Sequence, residues 1–529
     1  MCAVSNYVIF SCLSLSAPYA RPHSFAMFAK RNKTRDGKRY CQSHNSKSPA
    51  MTCAGTILTS LSSSAQETTT AHRLAGLRCV RCSSAGLLGN DQQMECPQCG
   101  TRYPVVTDVP IMFADAVITP TPYAVSASFA QKLCAQYDLS HFERPVVPAI
   151  QKIFSSTYRF GDFGIWTESA QFLDRVRQSG MDVGQPDGSL EPAAARSPAS
   201  DAPVNKTALI RYRWLVDYLP RRMQQGATIS GNVRLENLGP STLSSQHSQP
   251  IFVAYHWRDA TGNTVVQDGQ RTSLLVDVPP GRQLTQPMWI TAPQMSGSYV
   301  LEITLVHEGV AWLDDHAKPI PVEVTTDSPP SRTLHWEITD VANDDYRQDH
   351  LRALELIRHR IAQLGLVEPR ILEVGGNSYA TIAELKGDLY NVDVDAVGLQ
   401  IGSLLAKYHG TGVKHLCADA CVLPFADGYF DCVAVFASLH HFPDLPAALR
   451  SMARTLKPGG FMAIMCEPVG HVFANAIPDG FHGELLRGVN EQSFSLDEYA
   501  QVFREAGLQA EEVIVDDSSS LKAFLTAAS

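Results

Sequence analysis

One short stretch constrains this chain more than any other: R-I-L-E-V-G-G-N-S, residues 370–378, an apolar run that ends in an acid and breaks into a glycine pair. Ile371, Leu372 and Val374 suit a strand buried on both faces, as in a parallel sheet. Gly375 and Gly376 allow a tight turn at which a ligand can approach the backbone. Taken alone, such a pair is as often a purely structural turn. The residues downstream of it decide its meaning.

Asp393 lies 20 residues beyond Glu373, at the end of a second short strand, L-Y-N-V-D-V-D. The unit H-L-C-A-D ends a third strand at Asp419, Leu423-Pro424-Phe425 opens a loop, and Asp431 precedes an apolar fourth strand from Cys432 to Phe436. Leu445, Leu449, Met452 and Leu456 then share one helix face up to L-K-P-G-G, and F-M-A-I-M-C resumes a strand. Upstream, Leu351, Leu354, Ile357, Ile361 and Leu364 are spaced for a helix that stops near Gly365. Strands alternating with helices build an α/β, Rossmann-like open sheet over residues 346–529, which takes ligands at the carboxyl ends of its strands. A carboxylate at the end of the second strand accepts both ribose hydroxyls of a nucleotide cofactor at once. Asp393 fits that place, with Asp395 as its rival, because strand ends are read only to within a residue or two.

As a set, L-E-V-G-G, Asp393, A-D-A-C-V-L-P-F-A-D-G-Y-F-D, S-L-H-H-F-P-D and R-T-L-K-P-G-G resemble the class I S-adenosylmethionine-dependent methyltransferases of the small-molecule type. The resemblance implies that Glu373, Gly375, Gly376 and the turn after them hold the methionine end of S-adenosylmethionine. It also implies that Asp393 takes the ribose and that Asp419 with Ala420 flanks the adenine. Asp431 is read as a strand-end acid. The family pattern E-x-G-x-G-x-G has Asn377 and Tyr379 at its second and third glycines here. Asn tolerates the left-handed conformation; Tyr379 would crowd a ligand if the geometry were unchanged. A nicotinamide dinucleotide is the competing cofactor for such a turn, but no complete G-x-G-x-x-G is present. His440 and His441 come after the fourth strand, where cofactor and acceptor meet, and an ordinary imidazole pKa of about 6.5 suits a general base. His441 is the candidate catalytic residue. Glu467 and His471, in C-E-P-V-G-H after the fifth strand, are further candidates for contacting the acceptor.

Of 13 cysteines, Cys79, Cys82, Cys96 and Cys99 form two C-x-x-C pairs, with 13 residues between the pairs. Two such knuckles bring four thiolates round one tetrahedral Zn²⁺ and leave no position for substrate, so the site is structural. The other cysteines are scattered singly, which fits a reducing compartment rather than a disulfide framework. With the tail Y-P-V-V-T-D-V-P-I-M-F, this segment resembles the Trm112-like zinc ribbon found beside or fused to methyltransferases. It is expected over residues 71–114.

Between 205 and 327 the period changes to two. Ile229, Val233 and Leu235 fall on one strand face, as do Ile251, Val253, Tyr255 and Trp257; Tyr299, Leu301, Ile303 and Leu305 repeat the pattern, and Ile320, Val322 and Val324 close it. Short strands without a helix pattern mean an all-β sandwich. The run D-V-P-P-G … I-T-A-P-Q-M-S-G-S-Y-V-L-E-I-T-L-V-H-E-G-V-A-W-L resembles Ig-like modules attached to bacterial glycan-modifying enzymes. Trp257, Trp289, Tyr299 and Trp312 are candidates for a sugar platform, with core packing as the alternative. Residues 115–180 read as a helical segment, with Thr167 as an N-cap and Gly180 as a stop; 181–204 and 328–345 read as linkers. Residues 1–70, acid-poor before Glu67 and basic from Lys30 to Arg39, read as a disordered leader or as sequence ahead of a start at Met27 or Met51.

At 529 residues the chain holds roughly three domains. A net charge of -9 argues against a nucleic-acid partner, and no apolar run is long enough for a transmembrane helix. The expectation is a cytoplasmic enzyme that O-methylates a saccharide or other small molecule in glycan or cell-surface biosynthesis. The alternative is a non-catalytic binding scaffold whose methyltransferase domain has degenerated.

Overall fold

The computed structural model describes residues 76–114, 116–120, 125–160, 209–219, 221–245, 249–327, 343–469, 490–515 and 520–528. The expected leader, the 181–204 linker, most of the 328–345 linker, the Thr167–Gly180 helix and His471 lie outside them.

The cysteine-bearing module forms a small antiparallel sheet of β1 (Leu88–Gly89), β2 (Gln93–Glu95), β3 (Arg102–Val106) and β4 (Val109–Pro110). Thr107 and Asp108 both take positive φ, 49° and 64°, the two-residue turn that folds β4 back on β3. The expected helical segment holds α1 (Ala127–Gln136) and α2 (Glu143–Ile153), but two strands frame them: β5 (Ala116–Pro120) pairs antiparallel with β6 (Ser156–Phe160). A-V-I-T-P is rich in β-branched residues, which favour that extended state over helix. Ser126 starts α1 by accepting the Phe129 N–H at 3.1 Å.

Residues 212–325 are all β. The strands are β7 (Tyr212–Tyr218), β8 (Arg222–Gln224), β9 (Thr228–Asn237), β10 (Ile251–Asp259), β11 (Thr264–Val266), β12 (Thr272–Ser273), β13 (Gln283–Thr291), β14 (Gly297–His307), β15 (Ala311–Trp312) and β16 (Lys318–Thr325). One sheet runs β11-β10-β14-β16-β8, with β12 and β15 on its edges; the other runs β13-β9-β7. Their inner faces share one core, including Val233, Leu235, Trp257, Leu284 and Leu301. Trp257 is fully buried and donates from Nε1 to Thr291 O at 2.9 Å, and Tyr299 is buried beside it. Those two aromatics are core, not platform. Trp289 and Trp312 are half-buried, and Trp312 carries the Arg271 guanidinium over its ring.

After α3 (Asn343–Gln363) come β17 (Arg370–Val374), β18 (Asp388–Asp393), α4 (Ala396–His409), β19 (Lys414–Cys417), β20 (Phe430–Phe436), α5 (Leu445–Thr455), β21 (Leu456–Pro468), α6 (Leu496–Glu505), β22 (Leu508–Val515) and β23 (Ser520–Ala527). They form a seven-stranded sheet in the order β19-β18-β17-β20-β21-β23-β22, parallel except at β23. The order reverses between β17 and β20, and the crevice beyond that reversal is where such a sheet binds ligands. Helix starts are written locally: Asp395 caps α4, Asp444 caps α5, and Ser495 with Glu498 makes a capping box for α6. Asp431, read as a strand-end acid, accepts the Arg370 N–H and pairs with Lys457 at 2.7 Å.

The modules are joined edge to face. The tail after β4 adds to the exposed edge of β19, with Ile111 bridged in parallel to Cys417 and Met112 N donating to Cys417 O at 2.7 Å. Leu77 bridges Phe425, and Arg78 N donates to Pro424 O at 2.8 Å. Cys79, Cys96 and Tyr103 belong to the same apolar core as Leu372, Val433 and Phe425. The sandwich docks its β13 edge on the loop before α5, where Thr285 N donates to Pro443 O at 2.8 Å.

Candidate active site

The turn after β17 is built by close packing. Gly375 sits at φ +89°, and a Cβ there would collide with Ser438 Oγ. A Cβ on Gly376 would strike Asn391 Oδ1 and come within 2.9 Å of Glu373 Oε1. Asn377 takes φ +40°, the left-handed conformation open to Asn. Its N–H donates to Asp393 Oδ2 at 3.0 Å and its side-chain Nδ2 to Asp395 Oδ2 at 2.9 Å. Tyr379 points outward, 57% exposed, and does not fill the turn.

The two rival acids now differ in what they have left to offer. Asp395 is committed as the α4 cap, accepting the Val397 and Gly398 N–H groups at 3.0 Å. Asp393 accepts the Asp395 N–H at 2.8 Å on one oxygen and the Asn377 N–H at 3.0 Å on the other, with the Val394 N–H also directed at the carboxylate, which leaves it part of its acceptor capacity. Burial first, and then the Asp395 charge, push Asp393 up to about 6. Glu373 is buried beneath the loop and accepts the Ile382 N–H at 2.9 Å; burial pushes it up to about 7. Its carboxyl shapes the loop from below. The buried Asn391 Oδ1 has no hydrogen-bond partner among the described residues.

At the end of β19, Asp419 accepts the Cys421 N–H at 2.8 Å and Ala420 comes next, half-buried. Burial raises Asp419 while the neighbouring Arg282 guanidinium pulls it back down. Arg282 comes from the sandwich and donates from Nε to Asp444 Oδ2 at 3.0 Å. A cleft of about 240 Å³ opens here, lined by Met112 and Phe113 of the cysteine module's tail, Arg282 of the sandwich, and Asp419 and Asp444 of the sheet. Sequence reasoning missed Arg282, since nothing local marks one arginine in a β-sandwich as part of a distant pocket.

Beyond β20, His440 and His441 lie in a short 3₁₀ turn, Leu439–His441, with their rings 3.9 Å apart. Glu467 is fully buried and accepts the Ser438, Leu439 and His440 N–H groups at 2.9, 2.9 and 3.1 Å, and it pairs with His440 Nδ1 at 2.8 Å. It therefore fixes the turn rather than facing the crevice. Glu491 arrives from the segment before α6, with Oε1 3.7 Å from His440 Nε2 and Oε2 3.6 Å from His441 Nδ1. Burial pushes both imidazoles down to about 3, so both are neutral at ordinary pH. Glu491 was not foreseen either: N-E-Q-S reads as a polar loop, and only the packing buries it.

The four sequence-predicted cysteines converge. Cys79 Sγ is 3.5 Å from Cys99 Sγ, Cys82 Sγ is 3.6 Å from Cys96 Sγ, and all four sulfurs lie within 4.8 Å of one another. Four sulfurs at about 2.3 Å from a tetrahedral ion stand about 3.8 Å apart, so the donor set suits Zn²⁺.

Residues 372–464 match a family model described as a methyltransferase domain. The ubiquinone/menaquinone biosynthesis C-methyltransferase UbiE of Vibrio cholerae is 35% identical over 104 residues, covering 18% of this chain and 40% of its own length. The protein of that name from Stutzerimonas stutzeri is 32% identical over 127 residues, 22% of this chain and 49% of its own. The chain thus spans less than half the length of these curated relatives. Among solved structures, a SAM dependent methyltransferase from Aquifex aeolicus is similar at 17% identity and TM-score 0.26, covering 34% of this chain and 97% of its own. A complex of the Haloferax volcanii Trm112 methyltransferase activator with a methyltransferase is similar at 19% identity and TM-score 0.27, covering 36% and 96%. Over residues 372–464 the family match and the curated relatives are methyltransferases, and the sheet has the Rossmann-like strand order of an S-adenosylmethionine-dependent methyltransferase domain.

Proposed function

We propose that this chain methylates an oxygen of a saccharide or other small-molecule acceptor, using S-adenosylmethionine held in the crevice between β17 and β20. The observation that carries this reading is the spare acceptor capacity of Asp393 beside the left-handed turn at Asn377. Asp393 takes the ribose hydroxyls, the Gly375–Asn377 backbone lies against the methionine end, and Asp419 with Ala420 borders the adenine. When bound, S-adenosylmethionine would supply a sulfonium methyl group: the acceptor oxygen's lone pair would form the new bond, the C–S pair would return to sulfur, and the hydroxyl proton would leave to His441 or to water. The chain's own work is to position the acceptor and exclude water. His441 engages the acceptor from the far side of the β20 turn, and Glu467 holds that turn in place. Asn490 Oδ1 and Gln492 Oε1, buried and without partners among the described residues, supply acceptors for the hydroxyl groups of a polyol.

Cys79, Cys82, Cys96 and Cys99 hold a structural Zn²⁺, on the strength of their spacing and their sulfur separations. Titration with S-adenosylmethionine and with its demethylated product tests the enzyme reading; no binding at millimolar cofactor overturns it. His441→Ala lowers turnover by at least about tenfold while the cofactor Kd stays within about twofold; unchanged turnover removes His441 from the acceptor chemistry. A second reading, C-methylation, is favoured by the names of the two curated relatives. Methyl-labelled cofactor and the position of the label in the product separate the two.

A further inference from the structure

The cleft of about 240 Å³ beside Asp419 lies where three modules meet. Met112 and Phe113, from the tail of the cysteine module, give it apolar wall. Arg282, just before β13 of the sandwich, adds a guanidinium, and Asp419, just beyond β19, adds a carboxylate. Such a space suits one flat bicyclic base with a few polar groups to orient it.

Arg282 is held by one edge. Its Nε donates to Asp444 Oδ2 at 3.0 Å, and the Gln283 N–H donates to the same oxygen at 3.2 Å. The other oxygen, Asp444 Oδ1, accepts the Ala447 N–H at 3.0 Å as the cap of α5. Asp444 therefore grips the guanidinium at a single point rather than as a fork. That is the one hydrogen bond the Arg282 side chain makes among the described residues, so its four terminal N–H donors remain. The side chain is 30% exposed, and Arg282 and Asp419 are close enough for each charge to act on the other. Asp419 is its complement. Oδ1 accepts the Cys421 N–H at 2.8 Å, with the Cys421 thiol also directed at the carboxylate, which leaves part of the acceptor capacity.

A donor and an acceptor side by side match one edge of adenine, which presents N7 as an acceptor and the N6 amino group as a donor. Guanine presents O6 and N7, two acceptors, and would set O6 against the Asp419 carboxylate. We propose that Arg282 reads the base of S-adenosylmethionine, its guanidinium donating to adenine N7 while Asp419 accepts from the N6 amino group. This assignment rests on the methyltransferase reading. The sandwich then supplies part of the cofactor site, and undocking it removes the N7 donor without disturbing Asp393 or the glycine turn.

The test titrates the full chain with the demethylated product of S-adenosylmethionine and with its 7-deaza analogue, in which C–H replaces N7. Wild type binds the 7-deaza compound about tenfold more weakly, as expected for one lost hydrogen bond to a charged group. Arg282→Met keeps the side-chain length and loses the donors, and there the two ligands bind within about twofold of each other. Loosened docking of the sandwich weakens both ligands alike, so the ratio isolates N7. If Arg282→Met does not fold, Arg282→Lys decides: it keeps a positive charge for Asp444 but has no second arm for the base, and the gap narrows to within about threefold. A tenfold gap kept in either folded variant overturns the proposal, and so do equal affinities in wild type. Those outcomes leave the methyl-transfer reading standing. Failure of wild type to bind the demethylated product overturns both.

Discussion

In the proposed cofactor site Asp393 is the residue on which binding turns, and its environment gives that proposal a pH signature. In that proposal ribose hydroxyls donate to the ionised carboxylate, and burial has moved that ionisation up to about 6. Affinity for S-adenosylmethionine is therefore level above pH 7 and falls on acidification through about 6, approaching tenfold per pH unit below it. Calorimetry across pH 5–8 checks this, and an affinity that is flat down to pH 5 contradicts it. Asp393→Asn weakens binding by about tenfold to a hundredfold, the range of hydrogen bonds to a charged group, and abolishes the pH dependence. At this scale the sequence was legible where a residue's role is local. The spacing from Glu373 put Asp393 at the end of the second strand, where the structure has it, and the tolerance of Asn for left-handed backbone accounts for Asn377. Whether Asp393 or Asp395 keeps free acceptor capacity was not legible, because it depends on which one the α4 terminus consumes. The fate of Tyr379 likewise depended on the direction of the loop.

At the scale of elements, the cysteine module extends the sheet. The tail after β4 pairs with Cys417 at the edge of β19, and Leu77 pairs with Phe425 on the loop beyond Asp419. An open sheet edge presents unpaired backbone groups, and this module covers one. With zinc on the four cysteines as proposed, its fold depends on that ion, since so small a sheet has little core of its own. Replacing Cys79 and Cys96 together with Ser is expected to remove one zinc per chain and to raise hydrogen exchange at 417–426, with cofactor affinity falling at least about threefold. Metal retained in the double variant refutes the four-cysteine site. Exchange unchanged at 417–426 refutes the coupling. The C-x-x-C spacing foretold the cluster, but the partner strand is some three hundred residues away, and no local pattern names it.

Across the whole molecule, the sandwich is a wall of the site as well as a module. Arg282 bonds the nearly buried Asp444, which also caps α5, and it borders the cleft beside Asp419. Arg282→Ala leaves that carboxylate without its charge partner, so docking of the sandwich weakens by about 2–4 kcal/mol. Faster exchange at 282–291 and 443–448, with the sandwich core unchanged, is the expected readout; equal exchange in the two proteins counts against it. The sequence by itself determined each module. Period-two alternation, strand–helix alternation and paired cysteines are statements about which face of a short segment meets water, and such faces are decided within ten residues or so. The tertiary structure decided what the modules do to one another. Arg282 joins the cleft, Glu491 meets His440 and His441, and Thr285 anchors Asn490 and Gln492, each across a long separation in sequence. Burial and hydrogen-bond supply at those meetings depend on surfaces that exist only once each module has folded, and so the glycine turn was readable in advance while the walls around it were not.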